Sequence, residues 1–215
     1  MEYIVNKFKV ALLAENERHN LVSRKSLAEE FDKHIEDSLH ICTLFDLSGL
    51  RGADIGTGAG FPGLIMAMAL PDNYISLIEP DLKKSNFLQR MKNELSLGKV
   101  EVIKSRAEEV GHNPEYRASY DFCTSRAVTS INILLEYGIP LLKIGGKMFL
   151  WKGQNYKQEL EQASNALQIL NASVINIYHY TLINNLSRAM VIIEKQANTP
   201  DKYPRRIGIP AKRPL

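Results

Sequence analysis

Apolar and polar positions fall into two regimes that change near Gly49. Before it, apolar residues recur at helical spacing: Ile4, Val5, Phe8, Leu12 and Leu13 share one face of a segment spanning 2–15. A second helical segment follows Ser26, whose capping-box partner is Glu29, and runs through Phe31, His34, Ile35, Leu39 and Ile41. After Gly49, short strand-like apolar runs alternate with amphipathic helical stretches. Strands are expected at 53–55, 74–78, 100–103, 120–123, 147–151, 174–180 and 189–194, and helices at 62–70, 82–97, 130–142 and 154–170. That alternation predicts a parallel sheet covered on both faces. The connection over 182–188 has no room for a crossover helix, so the last two strands should pair antiparallel. The expected organisation is a helical extension over 1–48, an α/β core over 49–195 and a C-terminal arm over 196–215, compacted as one domain.

The richest segment is Asp54-Ile55-Gly56-Thr57-Gly58-Ala59-Gly60-Phe61-Pro62-Gly63. It is entered from an apolar run and left through a proline, as expected for strand, bare turn and helix start. Glycine allows positive φ and close approach of a ligand to the main chain. Two ligands compete for such a turn. The dinucleotide fingerprint fits Gly58, Gly60 and Gly63, with Glu79 about twenty residues on for ribose hydroxyls. The acid-led turn of S-adenosylmethionine-dependent methyltransferases fits Asp54, Gly56, Gly58 and Gly60. The first register puts Pro62 inside a phosphate-facing turn and leaves Asp54 without a role. In the second, Asp54 can face the cofactor's ammonium. The loop therefore favours S-adenosylmethionine, and a seven-stranded sheet ending in an antiparallel hairpin suits a class I, Rossmann-like methyltransferase better than a six-stranded all-parallel sheet.

Composition narrows the setting. The 215 residues are 45% hydrophobic and 24% charged, an ordinary globular balance. The apolar stretch at 61–70 is too short to span a bilayer, and the charged first twenty residues do not resemble a signal peptide. Cys42 and Cys123 lie in apolar surroundings, as buried reduced thiols do, and no Cys/His cluster has metal-ligand spacing. A cytoplasmic, metal-free, monomeric protein is expected. Net charge is only +3, yet Lys195, Lys202, Arg205, Arg206, Lys212 and Arg213 face a single acid, Asp201, in a proline-rich ending. Such an arm would present cations on extended backbone for phosphate contacts, or simply be a solvated terminus.

In an open parallel sheet the ligand lies beyond the carboxyl ends of the strands. Those ends carry Gly56 and Gly58, then Glu79, then Arg106-Ala107-Glu108, then Ser125-Arg126-Ala127. Glu79 is placed to accept ribose hydroxyls. Glu108 is placed to accept the adenine amine, or to begin a helix with Glu109. The fourth strand end lacks the Asp/Asn-Pro-Pro-aromatic segment of exocyclic-amine methylation, and Cys123 lies within a strand rather than after a proline, as a pyrimidine C5 nucleophile would. A site with no evident nucleophile or strong base suits an acceptor with a free lone pair, such as guanine N7, where displacement depends on in-line positioning and desolvation. A small-molecule methyltransferase and a dinucleotide-dependent oxidoreductase are the other functions compatible with the loop.

Several further segments carry a family likeness: Asn20-Leu21, His34-Ile35-Glu36-Asp37-Ser38-Leu39, the loop closed by Phe61-Pro62-Gly63, Arg106-Ala107-Glu108-Glu109, Ser125-Arg126-Ala127, Lys152-Gly153, and Tyr203-Pro204-Arg205 with Gly208, Pro210, Lys212, Pro214 and Leu215. On these the chain resembles, over nearly its full length, the RsmG (GidB) family of bacterial 16S ribosomal RNA guanine-N7 methyltransferases. Thr57 stands where the family often has serine, which keeps the hydroxyl. The resemblance implies methylation of one guanine in the 530 loop, nucleotide 527 in standard rRNA numbering, on free RNA or a 30S particle. It also implies cofactor contacts at Gly56, Phe61, Ala107, Glu108 and Arg126, to which the loop and strand-end readings add Gly58 and Glu79. No catalytic residue is evident, and Arg126 is the candidate for positioning. Candidates for RNA contact are Lys152, Arg126, Lys202, Arg205, Arg206, Lys212 and Arg213. His34 and Asp37 share a helical face and either help close the site or pin the extension. Trp151 and Phe61 are candidates to stack on a flipped base, with a core role the alternative for Trp151.

Overall fold

The computed structural model describes residues 1–22, 27–182 and 185–215, with backbone alone for 27–29. The Ser26–Glu29 capping box lies outside the described residues. Two helices lead, α1 (Glu2–His19) and α2 (Leu27–Leu44). The core then runs β1 (Arg51–Ile55), α3 (Gly63–Ala69), β2 (Tyr74–Ile78), α4 (Leu82–Glu94), β3 (Val100–Ile103), α5 (Ala107–His112), β4 (Tyr120–Arg126) and α6 (Ile131–Gly138). After a 3-10 turn over Ile139–Leu141 come β5 (Leu142–Lys152), α7 (Tyr156–Gln162), α8 (Ser164–Ile169), β6 (Ala172–Thr181) and β7 (Ser187–Lys195), and α9 (Ile209–Lys212) lies near the C-terminus.

The strands form one sheet in the order β3-β2-β1-β4-β5-β7-β6. All neighbours are parallel except β7, which runs against both β5 and β6. The order reverses between β1 and β4, where an open α/β sheet leaves a crevice at its carboxyl edge. Because side chains alternate across a strand, the unbroken apolar run Met190–Ile193 feeds both cores. Met190 and Ile192 pack on the face holding Phe8, Phe31, Leu64 and Phe87, and Val191 and Ile193 on the face holding Val110, Leu134 and Leu170. The N-terminal helices thus cover one face of the sheet. The Phe8 ring lies 5.7 Å from Phe61 in the glycine loop and 6.1 Å from Phe87 in α4.

Three expected elements differ. The helix expected over 130–142 stops at Gly138, because Pro140 has no N–H to continue it. The helix expected over 154–170 is divided at Ala163. Strand β5 begins at Leu142, ahead of Gly145-Gly146, with its register to β4 slipping between Tyr120 and Phe122 and Gly145 at φ 80°. A bulge lets the strand begin ahead of the expected 147–151.

The C-terminal segment is not an extended arm. Tyr203, Pro204 and Pro210 are buried, and Arg117 donates to the Tyr203 carbonyl at 2.8 Å and the Thr199 carbonyl at 3.0 Å. Pro210 sits in the first turn of α9, where a missing N–H costs nothing. Lys195 is not a tail cation either. It ends β7, is buried, and donates to the Leu142 carbonyl at 2.7 Å, and burial pulls its pKa down to about 8.

Candidate active site

The turn after β1 is built from within by carboxylates. Gly56, Gly58 and Gly60 have φ of 68°, 61° and 108°, conformations that side chains disfavour. Asp54 is 1% exposed; its carboxylate accepts the Gly63 N–H at 2.8 Å and the Thr124 hydroxyl at 2.8 Å. It therefore locks the start of α3 to the sheet instead of facing a cofactor, and the Gly63 N–H at that helix start is already taken. Burial raises its pKa against those hydrogen bonds. Glu79, at the end of β2, accepts from Gly58 N–H at 2.8 Å and Asp81 N–H at 2.9 Å. Each carboxylate oxygen has a second lone pair, so Glu79 keeps capacity to accept ribose hydroxyls.

A cavity of about 430 Å³ opens at this edge of the sheet. All seven residues expected at a cofactor site line it: Gly56, Gly58, Phe61, Glu79, Ala107, Glu108 and Arg126. Sequence reasoning had not singled out Val22, Lys84, Val128 and Tyr137, which also line it. Val22, Lys84 and Tyr137 arrive through tertiary packing that pattern does not show, while Val128 lies just beyond the β4 end. Glu108 is buried in the first turn of α5, and it accepts the Gly208 N–H at 2.9 Å, tying the C-terminal segment to the cavity wall. Tyr137 beside it has its phenol pushed up to about 12 by burial and the nearby Glu108.

At the β4 end, Arg126 is held by the extension. Its guanidinium donates to Asp37 Oδ2 at 2.9 Å and lies 5.3 Å from the Phe61 ring centroid. Asp37 is 2% exposed and also accepts the Tyr180 hydroxyl at 2.6 Å, with Arg188 Nε at 3.8 Å. The Asp37 carbonyl accepts the Trp151 indole N–H at 2.8 Å. One residue of α2 thus gathers the ends of β4, β5, β6 and β7. Trp151 is nearly buried and borders the neighbouring cavity beyond β4 and β5, while Phe61 both joins the aromatic cluster and lines this one.

A second cavity of about 380 Å³ adjoins the first beyond β4 and β5, sharing Arg126, Ala127 and Val128 and adding Trp151, Lys152, Glu159 and Arg188. Lys152 is expected to contact RNA, but its ammonium is 2.7 Å from both Glu159 and the Thr129 carbonyl and is nearly buried. Arg205, also expected at RNA, is spent on Glu136: Nη2 donates to Oε2 at 2.6 Å and Nε to Oε1 at 2.9 Å, and Glu136 has no exposure. Both cations expected at RNA are thus held by carboxylates of the chain itself, Arg205 by the fully buried Glu136 and Lys152 by the partly exposed Glu159. Lys202, Arg206, Lys212 and Arg213 are exposed. Cys123 is buried and burial raises its thiol pKa, as fits a core residue.

The donor set discriminates between the two ligands. A pyrophosphate needs unclaimed N–H groups and positive charge. Here Asp54 and Glu79 claim loop donors, and Glu79 and Glu108 put carboxylates on the wall. A Cβ added at Gly58 would meet only the Gly56 carbonyl, at 4.0 Å, so the space beside that backbone is free for a ligand. The volume is that of a cofactor pocket. Fold and site define a class I S-adenosylmethionine-dependent methyltransferase.

Known proteins narrow this further. The profile of the family described as rRNA small subunit methyltransferase G matches residues 2–187. A protein of that name from Syntrophomonas wolfei is 55% identical over the full length of both chains, and one from Carboxydothermus hydrogenoformans is 40% identical over 95% of this chain and 87% of its own. The chain belongs to the rRNA small subunit methyltransferase G family. Among solved structures, M. jannaschii TYW2 in complex with AdoMet matches with TM-score 0.58 at 14% identity, covering 75% of this chain and 74% of that one. A putative S-adenosyl-L-methionine-dependent methyltransferase from Methanococcus maripaludis matches with TM-score 0.59 at 15% identity, covering 78% and 87%. These two share the fold. The cofactor of this chain is S-adenosylmethionine and its substrate is ribosomal RNA. Among the described residues no helix is long and apolar enough to cross a membrane, and no group of side chains could hold a metal.

Proposed function

We propose that this chain methylates N7 of guanine 527 in the 530 loop of 16S RNA, as a cytoplasmic monomer. The cofactor supplies an electrophilic methyl group; the protein supplies position and dryness. Glu79 and Glu108 hold the nucleoside end, Gly56, Gly58 and Phe61 shape the floor, and Arg126 stands where the two cavities meet. The observation that carries the reading is the chemistry of the second cavity. Its one carboxylate among the described lining residues, Glu159, is ion-paired with Lys152, and the same oxygen, Oε2, accepts the Ile131 N–H at 3.0 Å. Lys152 is likewise engaged, and the Cys123 thiol is buried away from it. An acceptor that enters there has to bring its own lone pair, and guanine N7 does.

Arg126 touches both cavities and is neutralised by Asp37, so it orients without holding a bare positive charge against the methylated purine. Lys202, Arg206, Lys212 and Arg213 are the remaining candidates for the phosphate backbone. Mass spectrometry of 16S RNA from cells lacking this protein tests the reading. The expected result is loss of one methyl group from the 530-loop guanine, restored by the wild-type chain and not by Arg126→Ala. An unchanged 530 loop would overturn it.

A further inference from the structure

His34 carries a buried hydrogen-bonding atom that no described residue satisfies. Its ring lines the first cavity, 5.1 Å from the Phe61 centroid, and Nε2 is buried with no partner among the described residues. The other ring nitrogen, Nδ1, lies 3.4 Å from Arg126 Nη2. A guanidinium only donates, so Nδ1 is the acceptor and the neutral ring carries its proton on Nε2. The charged groups around the ring preserve that state. Burial and the Arg126 and Arg188 charges lower its pKa, against Glu30 and Asp37, which raise it. Neither acid is free to take the proton. Glu30 is paired with Lys33 at 3.0 Å, and Asp37 is occupied by Arg126 and Tyr180. A buried N–H donor without an acceptor is costly. Such a group, on a ring that lines a ligand cavity, points to an acceptor on the ligand.

The sheet order says which part of the ligand that is. Along the edge, β3 presents Ala107 and Glu108, β2 presents Glu79, β1 presents Gly56 and Gly58, and β4 presents Arg126 with His34 against it. Glu108 and Glu79 suit the adenine and ribose, which leaves the amino-acid end of the cofactor for the β1–β4 side. His34 lines this cavity and not the neighbouring one beyond β5. We propose that His34 binds the carboxylate of the cofactor's methionine portion through Nε2–H. Arg126 fixes the ring tautomer from behind, and Asp37 fixes Arg126, so a residue of the N-terminal helices reads the cofactor. The proposal rests on the cofactor assignment made above.

The test compares two adenosine compounds that differ in the amino-acid end, S-adenosylhomocysteine and 5′-methylthioadenosine, by calorimetry on the full-length chain. His34→Phe keeps a planar ring and removes the donor. It is expected to weaken S-adenosylhomocysteine about tenfold, the loss of one hydrogen bond to a charged group, while 5′-methylthioadenosine binds within twofold of wild type. His34→Gln, which returns an N–H at similar reach, should recover part of the loss. Equal weakening of both compounds, or of neither, would overturn the proposal. A measurement on the unaltered protein guards against a misfolded variant: in ¹⁵N-resolved NMR the His34 Nε2–H should move downfield with S-adenosylhomocysteine and stay put with 5′-methylthioadenosine. A ring protonated on Nδ1, or one blind to both, would also sink it. Wild-type protein that binds neither compound would instead reject the cofactor assignment itself.

Discussion

The glycines of the loop do different work, and a methyl group separates them. At Gly60 an added Cβ would come within 2.9 Å of Leu64 and 3.3 Å of Leu88, and at Gly63 within 2.5 Å of the Asp54 side chain. Those two glycines are there for packing. Gly58 has φ 61° and open space, so alanine there costs on the order of 1 kcal/mol of backbone strain and otherwise leaves the fold alone. Gly58→Ala should therefore melt within several degrees of wild type yet bind S-adenosylhomocysteine at least tenfold more weakly by calorimetry. Gly63→Ala should lose stability first. A second residue, Lys195, gives a pH signature. Its native pKa of about 8 lies below the ordinary lysine value of 10.5, so between the two the unfolded chain holds more protons than the folded one. Wild-type stability then rises with pH across that window relative to Lys195→Met. Urea unfolding of both should show the gap shifting toward wild type by on the order of 1 kcal/mol between about pH 7.5 and 9.5. A constant gap would mean that the ammonium is solvated.

Helix α2 acts as a clamp because one of its carboxylates is placed where four strands end. Truncating Asp37 to alanine leaves Arg126 buried without its partner and deprives Tyr180 of an acceptor, which should cost about 3 kcal/mol by urea unfolding. Tyr180→Phe, which removes one hydrogen bond and strands no charge, should cost about 1 kcal/mol. How far such features could be read beforehand depended on their range. The period-2 and period-3.6 patterns placed seven strands and the main helices, because local burial dictates them. The antiparallel hairpin followed from a short connection, and the strand ends pointed to Gly56, Glu79, Ala107, Glu108 and Arg126 on the cavity wall, while Phe61 came from the family likeness. What pattern could not show was pairing across distance. Asp37 and Arg126 are far apart in the chain, and Glu136 was an acid in an otherwise apolar helix whose partner lay in the tail. That lone acid in Ile131–Gly138 was a readable signal of a buried ion pair, while the charge of the tail alone suggested solvent.

At the scale of the whole molecule, the C-terminal segment serves two purposes that composition had merged into one. Arg205 neutralises Glu136 under α6, Gly208 caps the Glu108 carboxylate at the cavity wall, and the Arg117 guanidinium staples the intervening carbonyls. Removing residues 200–215 would strand Glu136 without charge compensation and release the wall that holds Glu108, so a truncation would report on folding before it reported on RNA. The exposed cations can be removed without that damage. A chain carrying Lys202→Ala, Arg206→Ala, Lys212→Ala and Arg213→Ala keeps every one of those contacts, since the Arg213 carbonyl, not its guanidinium, meets Arg205. If all four lie against phosphates, the slope of log affinity against log salt for single-stranded RNA should fall by about 3, at roughly 0.7 for each contact. Thermal melting and S-adenosylhomocysteine binding should stay at wild-type values. A salt slope that does not change would move the RNA face elsewhere, and the basic rim of the second cavity, with Arg188 and Arg126, would then be the surface to test.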